Sequence, residues 1–327
     1  MPKPYKHLTH DERDLLSVLK SKGKSIREIA QELGRSPATI SRELKRNVPP
    51  INTGYYLGHK AHERAVNRAS CGRTHQRLKN DKIRKYVRRR IKHGWSPELI
   101  AGRLKKLHPE LSISHEAIYQ WIYADARELI PLLLRANRNR KRRGYSRRHK
   151  KTHIPERVSI KERPAEVLLR QEPGHWETDI AVSRQSLAAL QVSVERKTRF
   201  TKLGKLLRKG SRPMSTSLTR RLSRYPQWFK LSITYDNGSE NTEHIRTNKV
   251  LGTKSYFCEP FHSWERGTVE NTIGLVRRFF PKKTDFAKVS KNRINSVERW
   301  LNHRPRKCLG FQTPMEAANA LGVALQG

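Results

Sequence analysis

The spacing of apolar residues changes character near residue 152. Before it they recur at intervals of three and four, which predicts helices. After it apolar and polar residues alternate, which predicts half-buried strands. In the first segment Thr9 can cap a helix over 10–22, with Leu15, Leu16, Val18 and Leu19 on its buried side and Gly23 at its end. Ser25 caps a second helix, with Ile26, Ile29, Ala30 and Leu33 on one face and Glu28 three residues after the cap. Gly34 closes it. Ser36-Pro37 then opens a third, a capping residue followed by proline at the first helical position. On that helix Ile40 and Leu44 point inward, and Ala38, Thr39, Arg42 and Arg46 lie on the opposite face.

A helix, a short glycine turn and a second helix make the helix-turn-helix arrangement, whose second helix enters the major groove of DNA. A small helical bundle with no role on DNA fits the same periodicity. The tight Gly34-Arg35-Ser36 turn and the small outward residues favour DNA, with Arg35, Ser36, Thr39, Arg42 and Arg46 as contact residues. Arg42 is the candidate for reading bases, because a guanidinium can bond two acceptors on guanine. A phosphate contact and an ion pair on the helix surface are its alternatives. A similar unit recurs over 80–134. It has a basic helix at 80–93 and a helix opened by Ser96-Pro97, with Leu99, Ile100, Leu104 and Leu107 apolar. A further helix is capped by Ser114, with Ile118, Trp121 and Ile122 inward. Its turn, 108–113, is longer, and Glu116 on the outward face opposes docking on phosphates, whereas Gln120 can read adenine. Residues 135–151 then carry ten basic side chains, Arg142 and Arg143 among them, and no acid. That charge density disfavours a packed core and predicts a solvated linker that follows phosphates.

From residue 152 the alternation predicts strands at 175–183, 187–195, 199–206, 231–235 and 254–258. Helices are expected at 213–224, 241–249, 263–279 and 290–302, and Thr313-Pro314 caps a last one. Three strands, a helix, a strand, a helix, a strand and further helices match the order of an RNase H-like α/β fold. The chain is therefore expected to be multidomain. An all-α helix-turn-helix DNA-binding region at 1–50 is followed by a second helical DNA-binding region at 80–134 and the basic linker at 135–151. An RNase H-like catalytic domain at 152–327 follows, with a mixed five-stranded sheet flanked by helices.

Charge strengthens the nucleic-acid reading. The chain has 70 Lys+Arg and 29 Asp+Glu, a formal net charge of +41. Such a surplus repels itself unless a polyanion neutralises it. A ribosomal or merely solubilising basic protein is the bland alternative, but 327 residues with many apolar runs are too long for it. Residues 1–150 hold 37 basic and 13 acidic side chains and residues 151–327 hold 33 and 16, so the excess is larger in front, +24 against +17. Cys71, Cys258 and Cys308 form no Cys-x-x-Cys pair, so neither a disulfide framework nor a zinc ribbon is indicated. No signal-peptide pattern opens the chain, and no apolar run approaches the roughly 20 residues that span a bilayer. A soluble, cytoplasmic protein without a membrane partner is expected.

Three acids are hard to explain as surface charge. Asp179 follows the alternating stretch His175-Trp176-Glu177-Thr178, Asp236 ends the run Leu231-Ser232-Ile233-Thr234-Tyr235, and Glu270 lies inside the helical stretch that opens near Ser263. In an RNase H-like sheet the first and fourth strands are neighbours, so the aspartates converge and Glu270 reaches them from the adjacent helix. Carboxylates so placed can hold two divalent cations about 3.5–4 Å apart, and hard oxygen donors suit Mg²⁺, with Mn²⁺ as its substitute. Glu265 precedes Glu270 by five positions, about 140° around a helix, so both cannot face the metals. Glu177 shares the strand face of Asp179 and can support it from behind. Glu240 follows the Asn237-Gly238 turn too closely to be the helix-borne ligand. Asp236 has a simpler reading, since Asp-Asn-Gly is a common turn sequence; the positions of the other two acids favour the catalytic one.

Several strings then fall in order. They are His175-Trp176-Glu177-x-Asp179, Val194-Glu195-Arg196-Lys197-Thr198-Arg199-Phe200 and Asp236-Asn237-Gly238-x-Glu240. Trp264-Glu265-Arg266-Gly267-Thr268-x-Glu270-Asn271-Thr272 and Phe280-Pro281-Lys282-x-Thr284-Asp285-Phe286 follow, and then Asn302-x-Arg304-Pro305-Arg306-Lys307-x-Leu309-Gly310. Over nearly its whole length the chain resembles the IS-thirty family of insertion-sequence DDE transposases. The resemblance implies that Asp179, Asp236 and Glu270 form the metal-binding triad. It implies cleavage at the element's terminal inverted repeats, transfer of the 3′ ends to target DNA, and a homo-oligomer on DNA. Thr178 stands where the family usually has Gly, and Ile273 where it usually has Asn; neither change removes a ligand. A transposase-derived repressor that binds ends without cutting is the rival reading, separable by metal-dependent nicking of end-bearing DNA. A nucleoid protein would instead lack sequence preference in competition binding.

Arg42→Ala is expected to weaken specific DNA binding by about 1–3 kcal/mol, the worth of a bidentate base contact. Competition binding checks this: equal weakening on specific and random DNA would make Arg42 a phosphate contact.

Overall fold

The computed structural model describes residues 7–47, 55–73, 78, 80–133, 153–183, 185–260 and 262–323. Contacts divide the chain into two units, 1–79 and 80–327. The basic run at 135–151, with Arg142 and Arg143, lies outside the described residues. No helix among the described residues is long and apolar enough to cross a membrane.

The first unit comprises α1 (His10–Ser21), α2 (Ile26–Glu32), α3 (Pro37–Asn47) and α4 (Gly58–Arg73). Thr9 and Ser25 each form a capping box, with Glu12 and Glu28 bonding back to the cap N–H. Gly34, at φ +59°, makes the turn between α2 and α3. Leu16, Leu19, Ile29, Ala30, Ile40 and Leu44 form the core, with Tyr56 and Ala61. Leu15 and Val18 do not join it; they are 42% and 48% exposed. The buried stripe of α1 is narrower than its run of apolar letters, because Arg13 occupies the adjoining position. Its guanidinium donates to Glu43 Oε1 and to the Leu8 carbonyl, both at 2.6 Å. Ile26, expected on the buried face of α2, is likewise 41% exposed. Apolar periodicity does not mark α4. It seats against α1 because Gly58 has no side chain; a Cβ there would lie 2.3 Å from Asp14 Oδ1.

The second unit opens with α5 (Asp81–Lys92), α6 (Pro97–Leu107) and α7 (His115–Asp125), followed by the short α8 (Glu166–Leu169). Its sheet contains β1 (His175–Val182), β2 (Ala189–Glu195), β3 (Thr201–Leu206), β4 (Ser232–Tyr235) and β5 (Lys254–Phe257), in the order β3-β2-β1-β4-β5. β1–β2 and β2–β3 are antiparallel, whereas β1–β4 and β4–β5 are parallel. This is the RNase H-like mixed sheet. One face packs Trp176, Phe200 and Ile233 against α9 (Ser211–Leu222) and α10 (His244–Leu251). The other packs Val192, Val194 and Leu203 against α11 (Gly267–Val276) and α12 (Lys291–His303). The last helix, α13 (Pro314–Asn319), adds Ala318 to the first core.

The helix expected over 263–279 is divided into a 3₁₀ turn, Ser263–Arg266, and α11. Glu265 holds the turn apart, accepting from Glu259 N at 2.9 Å and lying 3.3 Å from His262 Nδ1. The helices α5–α7 are fastened to the far end of the same unit. Arg103 on α6 pairs with Glu316 and donates to the Phe311 carbonyl at 3.0 Å, and Trp300 Nε1 donates to the His93 carbonyl at 2.7 Å.

Glu177 joins the sheet to α11. Its carboxylate accepts from Thr268 N and Val269 N, each at 3.0 Å, and pairs with Arg196 Nε at 3.0 Å. Those N–H groups belong to the first turn of α11, which has no partner for them within the helix. Burial, with Arg163 nearby, draws the Arg196 guanidinium down to about 10 against the pull of Glu177. Glu177→Ala would leave Arg196 and two helix N–H groups without this acceptor. It is expected to lower stability by about 3–5 kcal/mol, as for other broken buried pairs. A loss under about 1 kcal/mol in denaturant unfolding would show that the junction holds without it.

Candidate active site and nucleic-acid interface

The parallel register of β1 and β4 sets the centre of the site. His175 lies opposite Ser232 and Glu177 opposite Thr234; the same register carried two residues further places Asp179 beside Asp236. One guanidinium joins them. Arg266 Nη1 is 3.2 Å from Asp179 Oδ2 and Nη2 is 3.7 Å from Asp236 Oδ2. Arg266 Nη1 also donates to the Thr178 carbonyl at 3.2 Å. The remaining oxygens are fixed by their own loops. Asp179 Oδ1 accepts from Ile180 N at 2.7 Å, and Asp236 Oδ1 from Asn241 Nδ2 at 2.6 Å and Gly238 N at 3.3 Å. The turn reading of Asp236 therefore coexists with the pairing: one oxygen shapes the turn and the other faces Arg266.

Burial pushes the Asp179 carboxyl up to about 6; Arg266 opposes the rise, and the charges of Asp236 and Glu240 add to it. Burial works against the charge on Arg266 too, but the two aspartates outweigh it and hold the guanidinium above its ordinary value. The donor set suits a hard divalent cation. Asp179 and Asp236 offer carboxylate oxygens from adjacent strands, at a spot where a positive charge already sits, and their side chains are 24% and 33% exposed.

Glu270 is not part of the Arg266 cluster. It stands one turn beyond Arg266, exposed, and lines a cleft of ≈ 870 Å³ with Leu99, Arg277, Arg278, Arg304 and Arg306. Among the described residues no three His, Cys, Asp or Glu side chains are grouped so as to enclose a metal. The cleft is strongly cationic. Burial and mutual repulsion draw Arg304 down to about 9; Arg306, depressed mainly by burial, falls to about 10. Glu240 is buried and faces Lys209 Nζ at 3.2 Å.

The two departures from the resembled pattern are absorbed by packing. Thr178 Oγ1 meets Ser193 Oγ at 2.9 Å and donates to the Val192 carbonyl at 3.3 Å, and Gln191 Nε2 donates to Ser193 Oγ at 2.8 Å. Ile273 packs against the α11–α12 core.

On the helix-turn-helix, Arg42 and Arg46 are exposed. Arg42 Nε donates to the Ala38 carbonyl at 3.1 Å. Three neighbours serve the turn itself. Ser36 Oγ accepts from Thr39 N at 3.2 Å and meets Thr39 Oγ1 at 2.8 Å, and Arg35 pairs with Glu12 at 2.8 Å. Gln120 Nε2 donates to Glu116 Oε1 at 3.3 Å, so these outward residues of α7 engage each other. Sequence reasoning assigned no part to Arg266 or Asn241. The available signals for Arg266 are its place in the Trp264–Thr272 string and its position four residues before Glu270.

A family described as a helix-turn-helix domain matches residues 4–47. The transposase InsI for insertion sequence element IS30A of Escherichia coli (strain K12) is 37% identical over 332 residues, covering 98% of this chain and 85% of the relative. The transposase for insertion sequence element IS1086 of Cupriavidus metallidurans is 35% identical over 323 residues, covering 95% and 94%. The transposase for insertion sequence element IS4351 of Bacteroides fragilis is 35% identical over 314 residues, covering 95% of each. Identity at this level along nearly the full length means that the chain belongs to the IS30 (IS-thirty) family of insertion-sequence transposases.

Proposed function

We propose that this transposase binds the terminal inverted repeats of its own element, cleaves the strands there and transfers the 3′ ends to target DNA, with Asp179, Asp236 and Glu270 as its DDE triad. The β1–β4 register carries the proposal: it converges two carboxylates on one half-buried cation, Arg266, in an RNase H-like sheet. Glu270 lies in the first turn of α11, which begins directly after Arg266, and Glu177 fixes the start of that helix against β1. Two Mg²⁺ ions, or Mn²⁺ in their place, would supply activation of water or a DNA 3′-hydroxyl and charge stabilisation at the leaving oxygen. The chain's own groups hold negative charge at one point and screen it with Arg266. Exposed Arg278 and half-buried Arg277 and Arg306 offer backbone phosphates a path beside Glu270, with buried Arg304 behind them.

Residues 1–50 read the ends through Arg42 and Arg46, with Arg35, Ser36 and Thr39 shaping the reading turn. The region at 80–134 contributes Gln120. The run at 135–151, with Arg142 and Arg143, follows phosphates, and 152–327 performs the chemistry. The working form is a homo-oligomer on DNA in a prokaryotic cytoplasm, associated with the nucleoid.

Asp179→Asn, Asp236→Asn and Glu270→Gln are each expected to slow Mg²⁺-dependent nicking of end-bearing DNA roughly 10²-fold or more, about 2.7 kcal/mol in barrier, with end binding unchanged. Glu265→Gln, whose carboxylate serves the turn before α11, should keep nicking. Robust nicking by Asp179→Asn would sink the triad. End binding by the parent without nicking in either metal would leave the non-cleaving repressor.

The Asp179 shift supplies a second test. A carboxyl raised from 3.8 to about 6 keeps its proton in the folded chain where the unfolded chain has lost it. Its stabilising contribution is therefore present near pH 4, declines as pH rises toward 6, and stays lost above. In metal-free buffer, Asp179→Asn should melt higher than the parent at about pH 7.5 and no higher at about pH 4. A lower melting temperature at the higher pH would contradict the burial argument.

A further inference from the structure

A second cationic cavity lies at the β3 edge of the sheet, where α9, β3 and the start of α12 enclose ≈ 370 Å³. Its lining includes Lys202 and Lys205 from β3, Arg220 and Arg221 from α9, Arg224 just beyond it, and Lys291 from α12. One carboxylate, Glu298, answers them. It accepts from Lys202 Nζ at 2.8 Å and Leu203 N at 2.7 Å, and lies 3.8 Å from Arg221. Lys205 Nζ donates to the carbonyls of Ala287 and Val289, each at 2.8 Å. Lys202 and Lys205 thus hold the fold together, whereas Arg220, Arg224 and Lys291 are exposed.

Helix electrostatics account for only part of this charge. Arg220 and Arg221 lie in the last turn of α9, where carbonyl ends favour cations. Lys291 lies at the opposite kind of end, the first turn of α12, where a cation is disfavoured. Six cations from three structural segments against one carboxylate leave an excess of five charges, which calls for an anion. β3 lies two strands from β1 in the sheet, about 10 Å at ordinary strand spacing, so the phosphate held at Asp179 is not the one received here.

We propose that this cavity is a second DNA-backbone site, which holds phosphates other than the scissile one. The proposal rests on the reading of the chain as a DNA-joining enzyme. Its ligand chemistry is the phosphodiester backbone, supplied either by target DNA or by the element's own flank. Flexible cations at a sheet edge position a duplex without reading its bases, so the site is indifferent to sequence.

The test uses the full-length protein with Arg220→Gln, Arg224→Gln and Lys291→Gln combined. None of these belongs to the triad or bonds Glu298. Binding is titrated with salt on a duplex carrying the element end and on a random duplex. Nicking of the end and joining of a pre-cut end to a plasmid are followed alongside. Each lost phosphate contact should flatten the log–log salt slope by about 0.9, up to about 2.7 for three. End nicking should stay within about twofold, a change of about 0.4 kcal/mol. A flatter slope on random duplex with impaired joining assigns the cavity to target DNA. A flatter slope on the end duplex alone assigns it to the element's flank. Unchanged slopes on both duplexes overturn the proposal, and so does failure of Arg220→Lys with Arg224→Lys, Lys291 kept, to retain the parent slope. A parent protein that never nicks ends but shows the slope change would sink the catalytic reading and leave this site standing.

Discussion

A carboxylate with almost no access to water, Glu177, fixes the sheet-bearing part of this fold. It accepts from two N–H groups at the start of α11 and forms an ion pair with one guanidinium of the β2–β3 hairpin. A slide of α11 by one turn, about 5.4 Å, would break both helix bonds. Arg199 adds a second tie from the same hairpin, donating to Thr268 Oγ1 at 2.8 Å. Arg266 immediately precedes this helix and Glu270 lies in its first turn, so both take their positions from the junction. Asp179, two residues along the strand from Glu177, takes its position from the same place.

The surplus of positive charge does two different jobs. Several arginines are interior fasteners. Arg13 pairs with Glu43, Arg103 with Glu316 and Arg196 with Glu177, and Arg90 lies 4.5 Å above the Trp95 ring. A planar guanidinium suits these places because it bonds a carboxylate or carbonyl with a fixed fork and stacks on an aromatic face. The exposed cations, such as Arg42, Arg46, Arg220 and Arg224, take no such interior part. Net charge alone therefore overstates the DNA-facing surface.

The second helical region is built into the same unit as the sheet. Arg278 Nη1 donates to the Gly94 carbonyl at 3.1 Å, and Lys307 pairs with Glu98 at 2.6 Å. Gly102 allows the approach: a Cβ there would lie 2.2 Å from the Phe311 ring. Ser96 and Leu99 consequently share the cleft that Glu270 lines. A DNA strand at Glu270 would meet this region as well as the sheet.

Local chemistry made much of the architecture legible from the sequence. The caps at Thr9, Ser25, Ser114 and Thr313 act on groups three residues away, so their letters mark helix starts directly. Alternation in β1 to β3 marks the strands but not their full burial: β2 is buried along its whole length, because helices cover its polar positions Gln191 and Ser193 as well as its apolar ones. The five strands appear within a few residues of their expected limits. Asp179 and Asp236 were readable because the parallel register brings an acid within β1 beside one just past the end of β4. Tertiary structure decided what depends on partners distant in sequence. Leu15 and Val18 carry the letters of a core but lie outside it, because a helix face is chosen by what packs on it. The polar α4 exists because Gly58 and Ala61 let it rest on α1, which periodicity cannot show. The contact of Arg266 with both aspartates, the hold of Glu177 on α11 and the separation of Glu270 from the pair all depend on chain segments about 30 to 90 residues apart. Sequence spacing records such residues one by one; only the packed sheet and helices determine which of them meet.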